Sequence, residues 1–270
     1  MPLRSVERIP DAQDPRIAVY RDVGDPELVR ARGLFVAEGR YVVRRVIEDG
    51  RYRVQSLLVN DAALRGLGDA VDALDAAIPV YACRTTDFLG ITGFDIHRGC
   101  LALVERPAPT SIAGALAGAR SVVVLEGVTN PDNVGGVFRS AAAFGAGAVV
   151  LSPTCCDPFY RKAIRTSMGA VLRVPFARAE AWPGALHEIR NAGFTIAALT
   201  PREPSMSISE WQAGKTRIAL LVGTEGAGLS AGAEWLADVR IRIPTTDAVD
   251  SLNLSVATGI ALFALAGSRF

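Results

Sequence analysis

Residues 218–229 read Ile-Ala-Leu-Leu-Val-Gly-Thr-Glu-Gly-Ala-Gly-Leu, so an uninterrupted apolar run passes directly into a glycine-rich loop. An apolar run without alternation predicts a strand buried on both faces, as in a parallel sheet covered by helices. Three glycines between positions 223 and 228 allow the loop backbone to wrap closely around a flat ligand. Ligands of parallel α/β sheets bind beyond the carboxyl ends of the strands. This stretch therefore predicts a parallel α/β sheet with a ligand site at Gly223–Leu229.

Further apolar runs of the same kind extend the predicted sheet, at Val122–Leu125, Ala148–Leu151, Thr195–Leu199 and Val239–Ile243. Helical segments are predicted between them, for example at Val134–Phe144 and Ala181–Asn191. Ser207 and Glu210 form an S-x-x-E signature before Trp211, which indicates the start of a helix. The C-terminal half is therefore predicted to be a parallel α/β sheet.

A second loop follows the run at 122–125 and reads Glu126-Gly-Val-Thr-Asn-Pro-Asp-Asn-Val-Gly-Gly-Val-Phe-Arg139. Asn133 stands at the start of a predicted helix, where its side chain is placed to cap free amides. Six residues separate it from Arg139, nearly two helical turns, so both are predicted to face the same end of the sheet. Gly135 and Gly136 permit a close approach by another backbone or by a phosphate. A plain N-cap followed by a surface arginine is the competing interpretation of this loop alone.

A third loop, Ile243-Pro-Thr-Thr-Asp-Ala-Val-Asp-Ser-Leu-Asn-Leu-Ser255, opens the last predicted helix. Ser251 is its predicted N-cap. Apolar residues then follow at helical spacing, at Leu252, Val256, Ile260 and Phe263. Asn253 has a simple explanation as a polar residue of the first turn. Each of the three loops is weak evidence when it is taken by itself.

Taken together, the three loops resemble the signature motifs of the SpoU/TrmH family of RNA ribose methyltransferases. The motif N-x-G-x-x-x-R followed by F-G is matched by Asn133, Gly135, Arg139, Phe144 and Gly145. The motif G-x-E-x-x-G-L is matched by Gly223, Glu225, Gly228 and Leu229. The motif I-P, followed by S-L-N-x-S, is matched by Ile243, Pro244, Ser251, Leu252, Asn253 and Ser255. The resemblance covers residues 120–270, and the family usually has Met and Gly where this chain has Thr245 and Asp247.

The resemblance implies an α/β fold of the SPOUT type, whose C-terminal segment forms a trefoil knot, a rare exception to unknotted topology. It implies S-adenosylmethionine as cofactor, bound in the knot largely through backbone groups of Gly223, Ile243 and Leu252. Thr200 is a weaker candidate for a wall of that site. The family's site is assembled across a homodimer, so a homodimer is expected, and no metal is implied.

The implied reaction is attack of a ribose 2′-hydroxyl on the methyl group of the cofactor. That hydroxyl is a poor acid, so the protein must position it and stabilise its developing charge. Arg139 is the expected phosphate clamp and oxyanion stabiliser, because a guanidinium holds its proton too firmly to act as a base. Asn133, Ser251 and Asn253 are expected to fix the ribose and orient Arg139, while Glu225 holds this network together.

The N-terminal part resembles the small ribosomal-protein-like α/β domain that precedes many methyltransferases of this family. Residues 17–47 are predicted to be helical with an excess of arginine, and Phe35–Gly39 resembles the opening helix of that domain. Strands are predicted at Val54–Asn60, Pro79–Cys83 and Gly99–Glu105, with an acidic helix near Asp61–Ala77. We therefore predict an RNA-binding domain over 1–106, a linker over 107–119 and a methyltransferase domain over 120–270.

The overall composition sets limits on the function. The 29 basic and 28 acidic residues leave a net charge of +1, which argues against a general polyanion binder but allows local basic patches. Cys83, Cys100, Cys155 and Cys156 form no C-x-x-C pair, and His97 and His187 pair with no nucleophile, so neither a zinc site nor a histidine base is expected. No signal peptide or membrane span is recognisable, which favours a cytoplasmic enzyme.

Several substrates and functions remain open at this stage. We expect an RNA substrate, and rRNA is favoured over tRNA because two domains without a long basic tail suit a structured target. Methylation of tRNA or of a base is the nearest alternative. A catalytically inactive RNA-binding factor on the same scaffold is another, although the motif residues argue against it. A nicotinamide-dependent enzyme is disfavoured because G-x-G-x-x-G is missing after Glu126.

Overall fold

The computed structural model describes residues 5–21, 24–92, 99–211, 216–246, 248 and 251–266. His97 and Asp247, both considered above, lie outside these residues. The chain divides into two compact units: the first comprises residues 1–107 with 159–169, and the second comprises residues 108–158 with 170–270. Among the described residues, every helix is too short or too polar to span a lipid bilayer.

In chain order, the strands are β1 (Glu7–Arg8), β2 (Leu34–Glu38), β3 (Val54–Asn60), β4 (Val80–Cys83), β5 (Cys100–Glu105), β6 (Ser121–Leu125), β7 (Ala148–Leu151), β8 (Phe176–Arg178), β9 (Phe194–Leu199), β10 (Met206–Ser207), β11 (Arg217–Val222) and β12 (Val239–Arg242). The α-helices are α1 (Ala18–Arg21), α2 (Asp25–Arg30), α3 (Arg40–Asp49), α4 (Asp61–Leu67), α5 (Asp69–Asp72), α6 (Thr85–Thr92), α7 (Ile112–Leu116), α8 (Pro131–Ala143), α9 (Arg161–Thr166), α10 (Ala185–Asn191), α11 (Ala231–Trp235) and α12 (Leu254–Ala266). Short 3-10 helices occur at Pro15–Ile17 and Ala170–Leu172.

The first unit is built around a mixed sheet with the strand order β1-β4-β3-β5-β2. β5 pairs antiparallel with both β2 and β3, whereas β4 pairs parallel with β3 and with β1. The strands predicted from the sequence at 54–60, 79–83 and 99–105 are confirmed as β3, β4 and β5. The predicted acidic helix is divided into α4 and α5, with Gly68 between them.

The prediction of continuous helix over 17–47 is wrong between α2 and α3, because β2 lies there. Phe35, Val36 and Ala37 are each fully buried, which suits a strand covered on both faces and not a helix with one exposed face. Gly33, with φ of +62°, ends the preceding turn. β2 then pairs with β5 along its whole length. The Phe35–Gly39 stretch is therefore a strand and its following turn, and not an opening helix.

The first unit also contains a segment from the later part of the chain, residues 159–169. The Phe159 ring stacks on Phe35, with centroids 4.7 Å apart. The backbone amide of Arg161 donates to the Asp25 carboxylate at 2.8 Å, and burial raises the pKa of that carboxyl while Arg161 opposes the rise. The sequence analysis did not predict that residues 159–169 belong to the first unit, because their contacts join residues that are far apart along the chain.

The second unit is built around an all-parallel sheet with the strand order β10-β12-β9-β11-β6-β7-β8. The five strands predicted from apolar runs are confirmed within one or two residues at each end, and they occupy the middle of this sheet. The edge strands β8 and β10 were not predicted, since they are only three and two residues long. The prediction of a parallel α/β fold is confirmed.

The predicted linker over 107–119 differs from the structure. Helix α7 lies within it, and Ile112, Ala115 and Leu116 are buried in the core of the second unit. Arg217 on β11 holds the end of this stretch by donating to the carbonyl of Ala119 at 2.9 Å. The abundance of alanine and glycine in this stretch reflects close helix packing and not an extended connection.

Other local predictions have mixed outcomes. The four cysteines are buried, as expected of thiols in a packed core. His187 is exposed on α10. The helix predicted from Ser207 and Glu210 is wrong where the structure is described: Ser207 belongs to β10, and residues 208–210 form a turn.

Candidate active site

A cavity of about 410 Å³ lies beyond the carboxyl ends of β9, β11 and β12 in the second unit. Such a volume is typical of small-molecule sites. The residues predicted to hold a cofactor, Thr200, Gly223, Ile243 and Leu252, all line it. The predicted catalytic residues Glu225, Ser251 and Asn253 line it as well. The structure therefore brings the glycine-rich loop at Gly223–Leu229 and the loop at Ile243–Ser255 to one cavity.

The glycine-rich loop after β11 forms one wall of the cavity through a tight backbone crossing. A Cβ atom on Gly223 would lie 2.3 Å from the carbonyl carbon of Gly228 and 2.5 Å from the amide nitrogen of Leu229. Gly226 and Gly228 have φ angles of +82° and +70°, which disfavour side chains. The glycines of this motif are therefore required by the shape of the loop.

Asn253 connects the three sequence loops at the mouth of the cavity. Its side-chain amide donates to the carboxylate of Glu225 at 2.8 Å and to the side-chain oxygen of Asn133 at 3.0 Å. Asn133 is buried, whereas Glu225 and Asn253 are exposed, so the network runs from the core to the surface. Three motif residues, which span 120 positions of the chain, thus form one hydrogen-bonded group.

The N-cap of α12 is Asn253, and not Ser251 as the sequence predicted. α12 begins at Leu254, and the side-chain oxygen of Asn253 accepts hydrogen bonds from the amides of Ser255 at 3.0 Å and Val256 at 3.3 Å. Ser251 is instead exposed and lines the cavity. Asn253 therefore uses its oxygen to cap the helix and its nitrogen to hold the site.

Asn133 does not cap α8 either, because the helix begins two residues earlier. α8 starts at Pro131, and the side chain of Asn130 accepts from the amide of Asp132 at 2.9 Å. Asn133 lies in the first turn, facing Asn253. This contact is possible because α12 approaches α8 closely: a Cβ on Gly136 would lie 2.6 Å from that of Ser255. The close approach predicted at this glycine is thus made by a side chain of α12.

Arg139 is placed apart from the other predicted site residues of the same chain. It is exposed on α8, and its side chain has no hydrogen-bond or ion-pair partner among the residues that the structure describes. It does not line the cavity, whereas Asn133 is buried and contacts Asn253. A six-residue step turns an α-helix by about 240°, which separates the two side chains. The prediction that both face the same end of the sheet is therefore wrong within one chain.

Glu126 opens the loop that follows β6, but the sequence analysis gave it no role. Its buried carboxylate accepts from the amide of Ser230 at 2.9 Å, from the Ser230 hydroxyl at 2.6 Å and from the indole N–H of Trp182 at 2.5 Å. It thereby anchors the residue that follows the glycine-rich loop. Its position directly after β6, at the carboxyl edge of the sheet, was the signal that pointed to it.

Comparison with known proteins identifies what this chain is similar to. A sequence profile of the SpoU rRNA Methylase family matches residues 120–263. The chain is 39% identical to an uncharacterised tRNA/rRNA methyltransferase of Mycobacterium tuberculosis, covering 96% of this chain and 91% of that protein. It is 26% identical to the 23S rRNA (guanosine(2553)-2′-O)-methyltransferase RlmP of Bacillus subtilis, covering 97% and 100%. A crystal structure of an AdoMet-bound rRNA methyltransferase from Sinorhizobium meliloti superimposes with a TM-score of 0.82 at 25% identity, covering 96% of this chain and 97% of that one.

Proposed function

This chain belongs to the SpoU family of RNA methyltransferases, and from that membership we propose that it methylates a ribose 2′-hydroxyl, with 23S rRNA as its substrate. The enzyme class and the cofactor, S-adenosylmethionine, follow from the family itself. The observation that carries the finer proposal is the network joining Asn133, Glu225 and Asn253 at the mouth of the cavity. The similarity to RlmP over nearly the whole of both chains supports ribose and 23S rRNA as the target.

The cavity is suited to S-adenosylmethionine in its chemistry. Apolar walls at Leu199, Val222 and Ile243 match a flat base and an aliphatic chain, while polar groups occur at the mouth. The carboxylate of Glu225 supplies negative charge for a ligand whose sulfur is positively charged. When bound, S-adenosylmethionine supplies the methyl group that is transferred. We propose that Gly223, Ile243 and Leu252 hold it through backbone groups, with Thr200 as a side wall.

The protein's own residues would act on the ribose as follows. Asn253, whose amide is engaged by Glu225, Asn133 and the start of α12, would hold this loop so that nearby Ser251 faces the sugar at the cavity mouth. This fixes the distance and angle of attack, which lowers the barrier for a weak nucleophile. Arg139 would bind the neighbouring phosphate and stabilise the developing negative charge on the 2′-oxygen.

We also propose that the segment before α12 passes through a loop as a trefoil knot, because it lines the same cavity as the β11 loop.

The substrate preference is tested with RNA from cells that lack this protein. Purified enzyme with methyl-labelled S-adenosylmethionine should label 23S rRNA, and mapping of ribose methylation should find one site that regains its methyl group. Labelling confined to tRNA would replace 23S rRNA by tRNA as substrate.

We propose that the first unit selects the RNA, because arginines are concentrated in its residues 30–53.

Asn253→Asp is expected to reduce methyl transfer at least about tenfold, because a charge-assisted hydrogen bond contributes about 1.5–3 kcal/mol. The variant keeps the oxygen that caps α12 but replaces the donor to Glu225 and Asn133 with a second carboxylate oxygen. Helix content and melting temperature should therefore change little. The measurement is single-turnover methyl transfer under saturating RNA and cofactor.

The matched control is Asn130→Asp, the same substitution at the exposed N-cap of α8, which does not contact the network. This variant should retain the wild-type rate. Equal rates for Asn253→Asp and wild type would show that the network has no part in catalysis.

We propose that the enzyme is a homodimer whose interface includes an apolar stripe on α12. The stripe consists of Val256, Ile260 and Phe263, whose exposed fractions are 51%, 39% and 63%. These residues lie on one helical face, and the Phe263 ring also contacts Phe144, with centroids 5.8 Å apart. A second copy is the expected occupant, since one patch can pair with itself about a two-fold axis.

Such an interface would also give Arg139 a function. Gly136 and Ser140 of α8 contact α12 at Ser255 and Gly259, and Arg139 lies on the adjoining surface of the same helix. We propose that Arg139 reaches the cavity of the partner copy across the dimer interface, while its own cavity receives the partner's arginine.

Phe263→Glu is expected to convert the dimer into a monomer, because it would bury a carboxylate in an apolar interface without a partner. Light scattering coupled to size exclusion measures the mass directly. Trp235→Glu is the control, since Trp235 is 82% exposed on α11, outside the stripe, and the dimer should persist. A Phe263→Glu protein that remains dimeric would place the interface elsewhere.

A further inference from the structure

Arg202 connects two walls of the cofactor cavity without lining it. It follows β9, whose end forms one wall of the cavity at Leu199–Pro201. Its guanidinium donates to the carbonyl of Ala227 at 2.5 Å and to the carbonyl of Leu229 at 3.2 Å. Both carbonyls belong to the glycine-rich loop that forms the opposite wall. One side chain therefore spans from the β9 end to the β11 loop.

Glu234 on α11 completes this connection. One of its carboxylate oxygens accepts from Arg202 at 3.2 Å and from the hydroxyl of Thr200 at 3.2 Å. The Thr200 hydroxyl also accepts from the backbone amide of Arg202 at 3.2 Å. Thr200 is buried and lines the cavity, so the group of three residues fixes a wall residue as well as the guanidinium.

The β11 loop contains flexible glycines, and the hydrogen bonds from Arg202 restrict their backbone conformations. Gly226 and Gly228 lie on either side of Ala227, and both have positive φ. Glycines lose more conformational entropy on ordering than other residues do. When the loop already has its binding conformation, less conformational entropy is lost on binding, and the ligand binds more tightly. Without Arg202, that ordering would have to be driven by the cofactor.

We propose that Arg202, oriented by Glu234, is a positioning residue that sets the affinity for S-adenosylmethionine and S-adenosylhomocysteine. It does so by holding the β11 loop against the β9 end, and it contacts neither the ribose nor the reacting atoms. The inference rests on the proposed cofactor site at this cavity. It assigns a role to residues outside the three sequence motifs.

The test compares Arg202→Ala with wild type by calorimetry with S-adenosylhomocysteine and by steady-state methyl transfer. The Kd and the KM for S-adenosylmethionine should rise about tenfold, which corresponds to about 1.4 kcal/mol. Turnover at saturating cofactor should stay within about twofold, because the lost interaction affects cofactor binding and not the transition state. Arg202→Lys should give an intermediate Kd, since a single ammonium cannot reproduce the contact with both carbonyls.

Arg190→Ala is the matched control. Arg190 holds the other end of α11 by donating to the carbonyl of Leu236 and to the carboxylate of Asp238, but it does not touch the β11 loop. Its loss should lower the melting temperature without changing the Kd. An unchanged Kd in Arg202→Ala, or an equal rise in Arg190→Ala, would overturn the proposal. Failure of the wild-type protein to bind S-adenosylhomocysteine would instead reject the cofactor site itself.

Discussion

Arg139→Ala is expected to reduce the turnover number on the order of 10²-fold or more, the usual effect of removing a group that stabilises charge in the transition state. The affinity for S-adenosylhomocysteine should hardly change, because the proposed cofactor contacts come from the cavity loops at Gly223, Ile243 and Leu252, whereas Arg139 is proposed to act on the RNA. Arg139→Lys should recover only part of the rate, since a point charge cannot reproduce the planar guanidinium. Single-turnover methyl transfer at saturating RNA is the measurement.

Arg173→Ala is the matched control for this substitution. Arg173 is also exposed in the second unit, and its side chain has no hydrogen-bond or ion-pair partner in the described part of the chain, but it lies outside the three motifs. A surface arginine without a function changes stability by less than about 0.5 kcal/mol and leaves the rate alone. If Arg139→Ala methylates at the wild-type rate, Arg139 has no role in the mechanism.

Gly223→Ala is expected to weaken cofactor binding by about 10- to 100-fold, since overpacking costs about 1–3 kcal/mol. The new Cβ would meet backbone atoms of Gly228 and Leu229 at 2.3–2.5 Å, and backbone cannot move aside as a flexible side chain does. The loop would have to open, and the cavity wall would open with it. Calorimetry with S-adenosylhomocysteine measures the loss.

Gly184→Ala is the control for that substitution, because nothing lies within 4 Å of a Cβ at Gly184. Its φ of −53° is also acceptable to alanine. Binding should equal that of the wild type. A Gly223→Ala protein with unchanged affinity would show that the loop does not form the cofactor site.

Mixing these two impaired variants tests whether Arg139 acts in the partner's site. In a mixed dimer, the Arg139→Ala copy has an intact cavity and receives Arg139 from its partner. Random subunit exchange should therefore restore about a quarter of the wild-type activity. If Arg139 acts within its own chain, every site lacks one component and no activity returns.

The sequence predicted best the features that depend on local burial. The runs at 148–151 and 218–222 are strands because every residue in them is covered, and apolar patterning reports that directly. The same reasoning failed at β2. There, a strand of five residues lies between two helices, and its apolar residues were interpreted as part of one continuous helix.

The site required information that no local pattern contains. Ser251 and Asn253 are both acceptable N-caps, and the choice of Asn253 depends on its simultaneous contact with Glu225 and Asn133. The motif resemblance grouped the right loops. The spacing of Asn133 and Arg139 was misinterpreted, because a six-residue step turns a helix by about 240° and separates the two side chains. Arg202 lies outside the motifs, so its contacts with Ala227 and Leu229 became visible only in the folded chain.

The central claim is methyl transfer to a ribose hydroxyl, and nucleoside analysis of the labelled RNA tests it most directly. RNA incubated with the enzyme and methyl-labelled S-adenosylmethionine is digested to nucleosides, which are separated and weighed by mass spectrometry. The account predicts that the label appears in a single 2′-O-methylnucleoside, with the methyl group on the sugar fragment. A label on the base fragment would contradict it.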